Sequence, residues 1–312
     1  MSTTPLTLGV LVPVEITGSM LISSTAPETD YAAWNAGTTY AVGQKAISTT
    51  THRIYESAQA GNIGHDPTDI NNRIGTTTLW WIDVDPTNKW AMFDGEVSTQ
   101  TTIATPLNTV IRPSFFNAIY FGKLLGEQID VSIKDAPGGS VIYTYSDSLE
   151  DSQPGDYYEH FFAPFRQQED LLLRDIPPYY NMEITSTISS VSGNVACGIM
   201  TVGDLRPLGM TEWDAEAMPK TYSYIDLDKF GRSKIVRRKS AHDVQLTATL
   251  DLETADYVME TIKSLLDVPA VWVGIDLNGG YTPLRLYGLG SGRIVYKNHR
   301  ECSLNLTVKG FV

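Results

Sequence analysis

Apolar residues alternate strictly along one stretch of the chain and then change period. Every second residue from 244 to 252 is apolar, which is typical of a strand with one buried face. From residue 255 the apolar residues recur at helical spacing instead. The strand positions are Val244, Leu246, Ala248, Leu250 and Leu252, and the helical positions are Ala255, Val258, Met259, Ile262, Leu265 and Leu266. A helix capped by Asp251 or Thr254 and ended by Pro269 is therefore expected beside a sheet.

Most other patterned segments favour strands. Residues 7–16 alternate with period two, and Pro13 within them indicates an edge position or a bulge. Turn residues between apolar runs predict three hairpins, with their turns at 137–139, 192–194 and 228–232. The run Gly288-Leu-Gly-Ser-Gly is expected to be a turn between strands rather than a phosphate loop, because no amphipathic helix follows it. The predicted fold class is mainly β, with β-sandwich or barrel-like domains and one flanking helix.

The composition changes between about residues 28 and 85. This stretch is rich in Thr, Asn, Gly and aromatic residues and poor in aliphatic ones, and Pro27 and Pro86 lie at its ends. A small inserted β module over 28–85 is the natural interpretation, because insertions are tolerated at exposed turns whose ends are close. The remaining chain is divided into an N-terminal β domain, 1–27 plus 86–217, and a C-terminal β-sandwich-like domain with the helix, 218–312.

Charge and composition exclude several classes of protein. The formal charge is −13, whereas nucleic-acid binding needs a cationic surface. The basic cluster Arg232, Lys234, Arg237, Arg238 and Lys239 is better explained by a solvated strand edge or an acidic protein neighbour. No apolar run reaches the ~20 residues of a membrane helix, so no membrane insertion is expected. The N-terminal segment also lacks the basic start and apolar stretch of a secretory signal.

No pattern of catalytic or metal-binding residues is present in the sequence. The five histidines are scattered, and neither His-Glu-x-x-His nor Gly-x-Ser-x-Gly occurs. The acidic pairs Glu150-Asp151 and Glu169-Asp170 are expected to be solvated rather than glycosidase carboxylates. The two cysteines, Cys197 and Cys302, lie in apolar or alternating contexts and are expected to be buried. We therefore expect no enzyme activity, no cofactor and no metal.

Within 28–85, aromatic and turn residues follow one pattern, made of Trp34, Tyr40, Gly43, Tyr55, Asn62, Pro67 and Trp80 or Trp81. This pattern resembles that of the small chitin-binding modules appended to bacterial chitinases, and the resemblance covers about a fifth of the chain. Gln44 departs from the pattern, because an Asp often follows the glycine. The resemblance implies carbohydrate binding through Tyr55, Trp80, Trp81, Trp34 and Tyr40.

These aromatic residues have two possible roles. Sugar rings pack their C–H faces on aromatic rings, but a module this small must also build its core from aromatics. We expect Trp34 and Tyr40 to be at least half structural, and Tyr55, Trp80 and Trp81 to be better candidates for an exposed platform. Adjacent residues in a strand point to opposite faces, so at most one of Trp80 and Trp81 can belong to it.

Several motifs lie between Pro86 and the C-terminus: Trp90-Ala-Met-Phe-Asp-Gly, Phe161-Phe-Ala-Pro-Phe, Ile176-Pro-Pro-Tyr, Val195-Ala-Cys-Gly and the helix followed by Val271-Trp-Val-Gly. With these motifs, this part of the chain resembles minor tail proteins of siphophages. It implies a virion component of the tail tip or baseplate, assembled in the host cytoplasm. Implied partners are the tail tube, hub and tape-measure proteins, further copies of the chain in a trimeric or hexameric ring, and bacterial surface polysaccharide. The alternatives are a carbohydrate-active enzyme and a free lectin-like adhesin, each with an appended binding module.

Overall fold

The computed structural model describes residues 7–75, 79–150, 158, 167–227, 229–275 and 281–311. The fold is mainly β with several sheets, as the sequence predicts. The segment 161–165, one of the motifs that carry the resemblance to tail proteins, lies outside the described residues. Within the described ranges, no helix is long and apolar enough to cross a membrane.

The described strands form two large sheets and three small ones. In chain order the first strands are β1 (Thr7–Val14), β2 (Leu21–Ser24), β3 (Lys45–Ser48), β4 (Arg53–Ser57), β5 (Trp81–Pro86), β6 (Thr101–Ala104), β7 (Leu107–Ile111), β8 (Ala118–Gly122), β9 (Gln128–Lys134) and β10 (Val141–Ser148). The others are β11 (Asp170–Leu173), β12 (Glu183–Ser189), β13 (Asn194–Cys197), β14 (Ile199–Thr211), β15 (Glu216–Thr221), β16 (Tyr224–Leu227), β17 (Ser233–Val236), β18 (Ser240–Asp251), β19 (Ala270–Val273), β20 (Arg285–Tyr296) and β21 (Glu301–Gly310). One α-helix has described bounds, α1 (Ala255–Ser264).

The largest sheet closes on itself as a barrel. Its strand order is β11-β8-β14-β1-β19-β20-β21-β18-β15, and β14 also pairs with β18. The six strands from β14 to β18 therefore form a closed ring in which every paired contact is antiparallel. Closure removes the edges of the six ring strands, whereas β11 and β15 remain the terminal strands of the sheet.

Helix α1 packs against the barrel core, as its periodicity predicts. Its buried residues Ala255, Val258 and Ile262 belong to the same apolar cluster as Trp272 of β19 and Leu304 of β21. The predicted helix and the alternating strand before it, now β18, are confirmed. Thr254 is the N-cap, but its side-chain hydroxyl donates to the Asp251 carbonyl and makes no capping hydrogen bond.

The glycine run of residues 288–292 lies inside β20, so the expected turn is wrong. A Cβ atom at Gly290 would overlap the indole ring of Trp272. A Cβ atom at Gly292 would lie 2.9 Å from Cδ1 of Ile262 on α1. The glycines thus allow Trp272 and the helix to pack closely on the strand.

A second sheet packs on part of the first as a sandwich. Its order is β10-β9-β12-β7-β2, and its inward residues, such as Ile129 and Ile184, share one core with Phe121 of β8 and Val202 of β14. The predicted hairpins at 137–139 and 228–232 are confirmed as β9–β10 and β16–β17. The predicted hairpin at 192–194 is wrong, because β12 pairs with β9 and β7, whereas β13 pairs with β6.

The two sequence-predicted body domains share the barrel sheet. Strand β1 lies between β14 and β19, so the boundary placed at residue 217 crosses a continuous sheet. Pro13 is therefore not on an edge strand. Pro13 pairs with Gly203 of β14, but the pairing of β1 with β19 ends at Leu11. The ladder between β1 and β19 therefore does not need the N–H that Pro13 lacks.

The inserted module has a sheet and a core of its own. Strands β3, β4 and β5 form a three-stranded antiparallel sheet within the predicted segment. Its apolar cluster is separate from the body clusters and consists of Tyr40, Ala46, Tyr55 and Trp81, with Trp34 and Trp80 packed against it. Aromatic residues therefore do form the core of this small module.

Candidate functional site

Two of the three residues expected on an exposed aromatic platform are buried. Tyr55 is 1% exposed and Trp81 is 0% exposed. The indole N–H of Trp81 donates to the His65 carbonyl at 2.7 Å, and the Tyr55 hydroxyl lies 2.9 Å from the Thr51 hydroxyl. Their expected exposure is wrong because the module has few aliphatic residues to fill its core, and the two rings take that place.

Tyr40 is a core residue, as expected. Its ring meets Trp81 edge-on at a centroid distance of 5.0 Å. Its hydroxyl accepts a hydrogen bond of 2.8 Å from the Asn35 N–H. Asn62, part of the chitin-module pattern, is also structural, because its buried amide donates to Ser57 Oγ and to the Trp80 carbonyl, both at 3.1 Å.

Trp80 is half-buried and does not present both ring faces. It stacks on the His65 imidazole with a centroid distance of 3.8 Å and an interplanar angle of 9°. Trp81 lies in the module core, and Trp80, which precedes β5, packs against the same core. The alternation expected of two adjacent strand residues therefore does not apply to this pair. Of the three residues expected on the platform, only Trp80 is partly exposed, and His65 covers one face of its ring.

A cleft with a volume of about 210 Å³ lies in the module beside Trp34. Its lining comprises Ala33, Trp34, Ile47, Ser48, Thr49, Thr50, Asp66, Pro67 and Thr68. The backbone of Trp34 is fixed to β3, because its N–H donates to the Ile47 carbonyl at 2.9 Å and Ile47 donates back to Ala32 at 3.1 Å.

Polar groups converge on this cleft around one aromatic ring. Among the described residues, the buried indole N–H of Trp34 has no hydrogen-bond partner. Opposite chain segments supply the hydroxyls of Ser48, Thr49 and Thr50 and the carboxylate of Asp66. Asp66 Oδ1 already accepts from the Thr68 N–H and hydroxyl, both at 2.8 Å, which fixes the carboxylate at the cleft. An aromatic ring bordered by oriented donors and acceptors suits a sugar ring.

The sequence predicted Trp34 to be at least half structural and also counted it among the carbohydrate-binding residues, but it did not connect this ring with Ser48, Thr49 and Thr50. Trp34 is half-buried, so it contributes to both the core and the cleft. The run Thr49-Thr50-Thr51 between β3 and β4 was a polar-turn signal, but nothing in its spacing connects it to Asp66. Only the fold brings the β3–β4 turn next to residues 66–68.

The ends of the module meet at a hydrogen-bonded junction with the body. Glu28 Oε1 lies 2.9 Å from His52 Nδ1 and accepts from the Thr87 hydroxyl at 3.0 Å. The N–H of Asn88 also donates to the Asp30 carboxylate at 3.2–3.3 Å. Entry and exit of the insertion are therefore joined, as insertion at one exposed turn requires.

Of the acidic pairs considered for glycosidase chemistry, Glu169 and Asp170 both form ion pairs. Asp170 begins β11, and its Oδ2 lies 2.6 Å from Nε of Arg285 at a cavity of about 360 Å³. Glu169 forms a 3.0 Å ion pair with Lys123. Glu150 is exposed, and Asp151 lies outside the described residues. The expectation that Glu169 and Asp170 are simply solvated is corrected for Asp170, whose ion pair is partly buried.

No cluster of three or more His, Cys, Asp or Glu side chains that could hold a metal ion occurs among the described residues. A comparison with protein-family models finds no match, and a comparison with curated proteins finds no matching relative.

Proposed function

We propose that this protein is a structural, non-enzymatic component of a siphophage tail tip that displays its inserted module towards host-surface polysaccharide. In this proposal copies of the chain assemble as a ring next to the tail-tube, hub and tape-measure proteins, and the module contributes to attachment. The proposal joins the two sequence resemblances to the architecture described above.

One observation carries the proposal. The module has its own sheet and aromatic core, and the two chain segments that connect it to the body meet at the Glu28, His52 and Thr87 contacts. A unit attached in this way can be carried on a body without forming part of its core, which is what a displayed binding module requires.

The Trp34 cleft supports polysaccharide as the ligand of the module. It combines an aromatic residue, hydroxyl-bearing residues and one fixed carboxylate in about 210 Å³. This volume accommodates part of a sugar unit rather than a large ligand. The cleft therefore fits repeated weak contacts along a surface polymer, and a ring of copies would multiply those contacts through avidity.

The experiment that tests the proposal uses virions of the phage that encodes the chain. Mass spectrometry should detect the protein in purified particles, and electron microscopy with a tag on the module should locate it at the tail tip. A matched virion in which a short Gly-Ser linker replaces residues 29–86 should assemble but adsorb less to host cells. Absence of the protein from purified particles would refute the structural role, and unchanged adsorption would refute the attachment role.

A further inference from the structure

The hairpin β16–β17 stands apart from the sheets of the body. Its two strands pair with each other and with no other strand among the described residues. Seven of its eight strand residues are exposed, the exception being the half-buried Val236. At its base, the Arg238 N–H donates to Ser223 Oγ at 2.9 Å. The hairpin is thus formed and closed at its base, but its strands pack on little of the chain that carries them.

One face of this hairpin is apolar. Ile225 is directly opposite Ile235 in the register, so both side chains lie on the same face, and Leu227 lies on it two residues further along β16. These three side chains are 66%, 65% and 66% exposed. A two-stranded hairpin is marginally stable in water unless a face is covered, so this exposed apolar face indicates a docking surface.

The hairpin segment has the opposite charge to the rest of the chain. Residues 221–239 include six lysines and arginines and two aspartates, a formal charge of +4. Since the whole chain has −13, the other residues together carry −17. A nucleic acid would be repelled by that remainder, whereas a second copy of the chain offers the acidic surface that a basic hairpin would bind.

We propose that β16–β17 is the element by which one copy of this chain binds the next. Its apolar face, formed by Ile225, Leu227 and Ile235, packs on the neighbouring copy, and the lysines and arginines around it face acidic residues of that copy. This inference rests on the self-assembly proposed above and names the segment responsible for it.

The test uses the purified full-length chain in sedimentation velocity and light scattering over a range of protein and salt concentrations. Ile225→Asp places a charge on the apolar face, and Lys229→Glu combined with Arg237→Glu reverses part of the basic charge that borders it. Val191→Asp is the matched control, because Val191 is 91% exposed and lies outside the hairpin. Thermal melting of each variant shows that its body remains folded.

The wild-type chain and Val191→Asp should form the same oligomer, and each hairpin variant should raise its dissociation constant at least tenfold. High salt should also weaken the wild-type oligomer, because the charges at its border are screened. An oligomer that ignores the hairpin substitutions or the salt would overturn the hairpin inference and leave the proposed self-assembly intact. A wild-type chain that stays monomeric at every concentration would overturn both.

Discussion

The imidazole ring of His52 stacks on the indole ring of Trp90, with centroids 4.2 Å apart and an interplanar angle of 20°. His52 belongs to the turn between β3 and β4 of the inserted module, and Trp90 belongs to the core of the body. With the Glu28 contact to the same imidazole, this stack joins the module to the body through side chains as well as through the chain itself.

The stack predicts that His52→Ala destabilises the protein. The substitution removes an aromatic contact and one hydrogen bond, together about 1–2 kcal/mol. Thermal unfolding should show the loss, and limited proteolysis should cut the junction faster. His299→Ala is the control, because His299 lies on an exposed turn. Equal stability of the two variants would mean that the junction contacts do not hold the module.

Trp81→Ala should unfold the inserted module. The side chain is fully buried and contacts Tyr40 edge-on, so its removal should cost ~3–5 kcal/mol of module stability. The body has separate apolar clusters and should keep its melting transition. Hydrogen exchange can follow residues 40–62 and the body strands separately, and a module that stays protected would contradict the assignment of Trp81 to its core.

Trp34→Phe should separate ligand binding from stability. It keeps an aromatic ring but removes the unpaired indole N–H, so stability should stay equal or rise slightly. If the Trp34 ring stacks on a sugar, the smaller phenyl ring should weaken binding to host polysaccharide by ~1 kcal/mol, roughly fivefold. Trp90→Phe is a close control, because its buried N–H also has no partner among the described residues and it does not line the cleft. Equal binding by both variants would exclude the Trp34 cleft as the sugar site.

Both thiols should be unreactive in the folded protein. Cys197 and Cys302 are buried, as the sequence predicts, and burial raises the pKa of the Cys197 thiol to about 12. Because the thiolate is the reactive form, maleimide should label neither cysteine at neutral pH and both in denaturant. Labelling of Cys197 without denaturant would show that the strand edge at 194–197 opens readily.

Asp94 should make stability decrease as pH rises through its titration. Burial raises the pKa of this carboxyl above its ordinary 3.8, against the hydrogen bonds from Thr99 and the Glu96 backbone. The folded state therefore binds the proton more tightly than the unfolded state, so this contribution is full below pH 3.8 and is lost as pH rises through the higher folded pKa. Asp94→Asn should flatten that part of the stability profile, and an unchanged profile would argue against the shift.

Local patterns predicted the elements whose partners are close in sequence. The alternation before Asp251 and the helical spacing after Ala255 each identify one element, and the turn at 137–139 joins adjacent strands. The partners of β12 and β13 could not be predicted in this way, because β12 pairs with β7 and β9 instead of with the strand that follows it. A turn signal indicates that the chain bends, and tertiary packing decides which strands meet.

The site was predicted less well than the fold. The sequence does not show how deeply Trp80 and Trp81 are buried, and both pack in the module core. In a module with few aliphatic residues, aromatic content indicates both a core and a sugar platform, so Tyr55 and Trp81 were assigned to the wrong side. The cleft at Trp34 depends on Asp66 and the β3–β4 turn meeting in space, which no spacing along the chain encodes.

The position of β1 between β14 and β19 has a consequence for biosynthesis. Residues 7–14 are translated before both of their sheet neighbours, residues 199–211 and 270–273. The strands of the inserted module all lie within residues 45–86, so this unit can fold on the nascent chain before the partners of β1 have been translated. Until then the apolar residues of β1 lack the strands that bury them, and a chaperone that binds this segment on the nascent chain would protect it from aggregation.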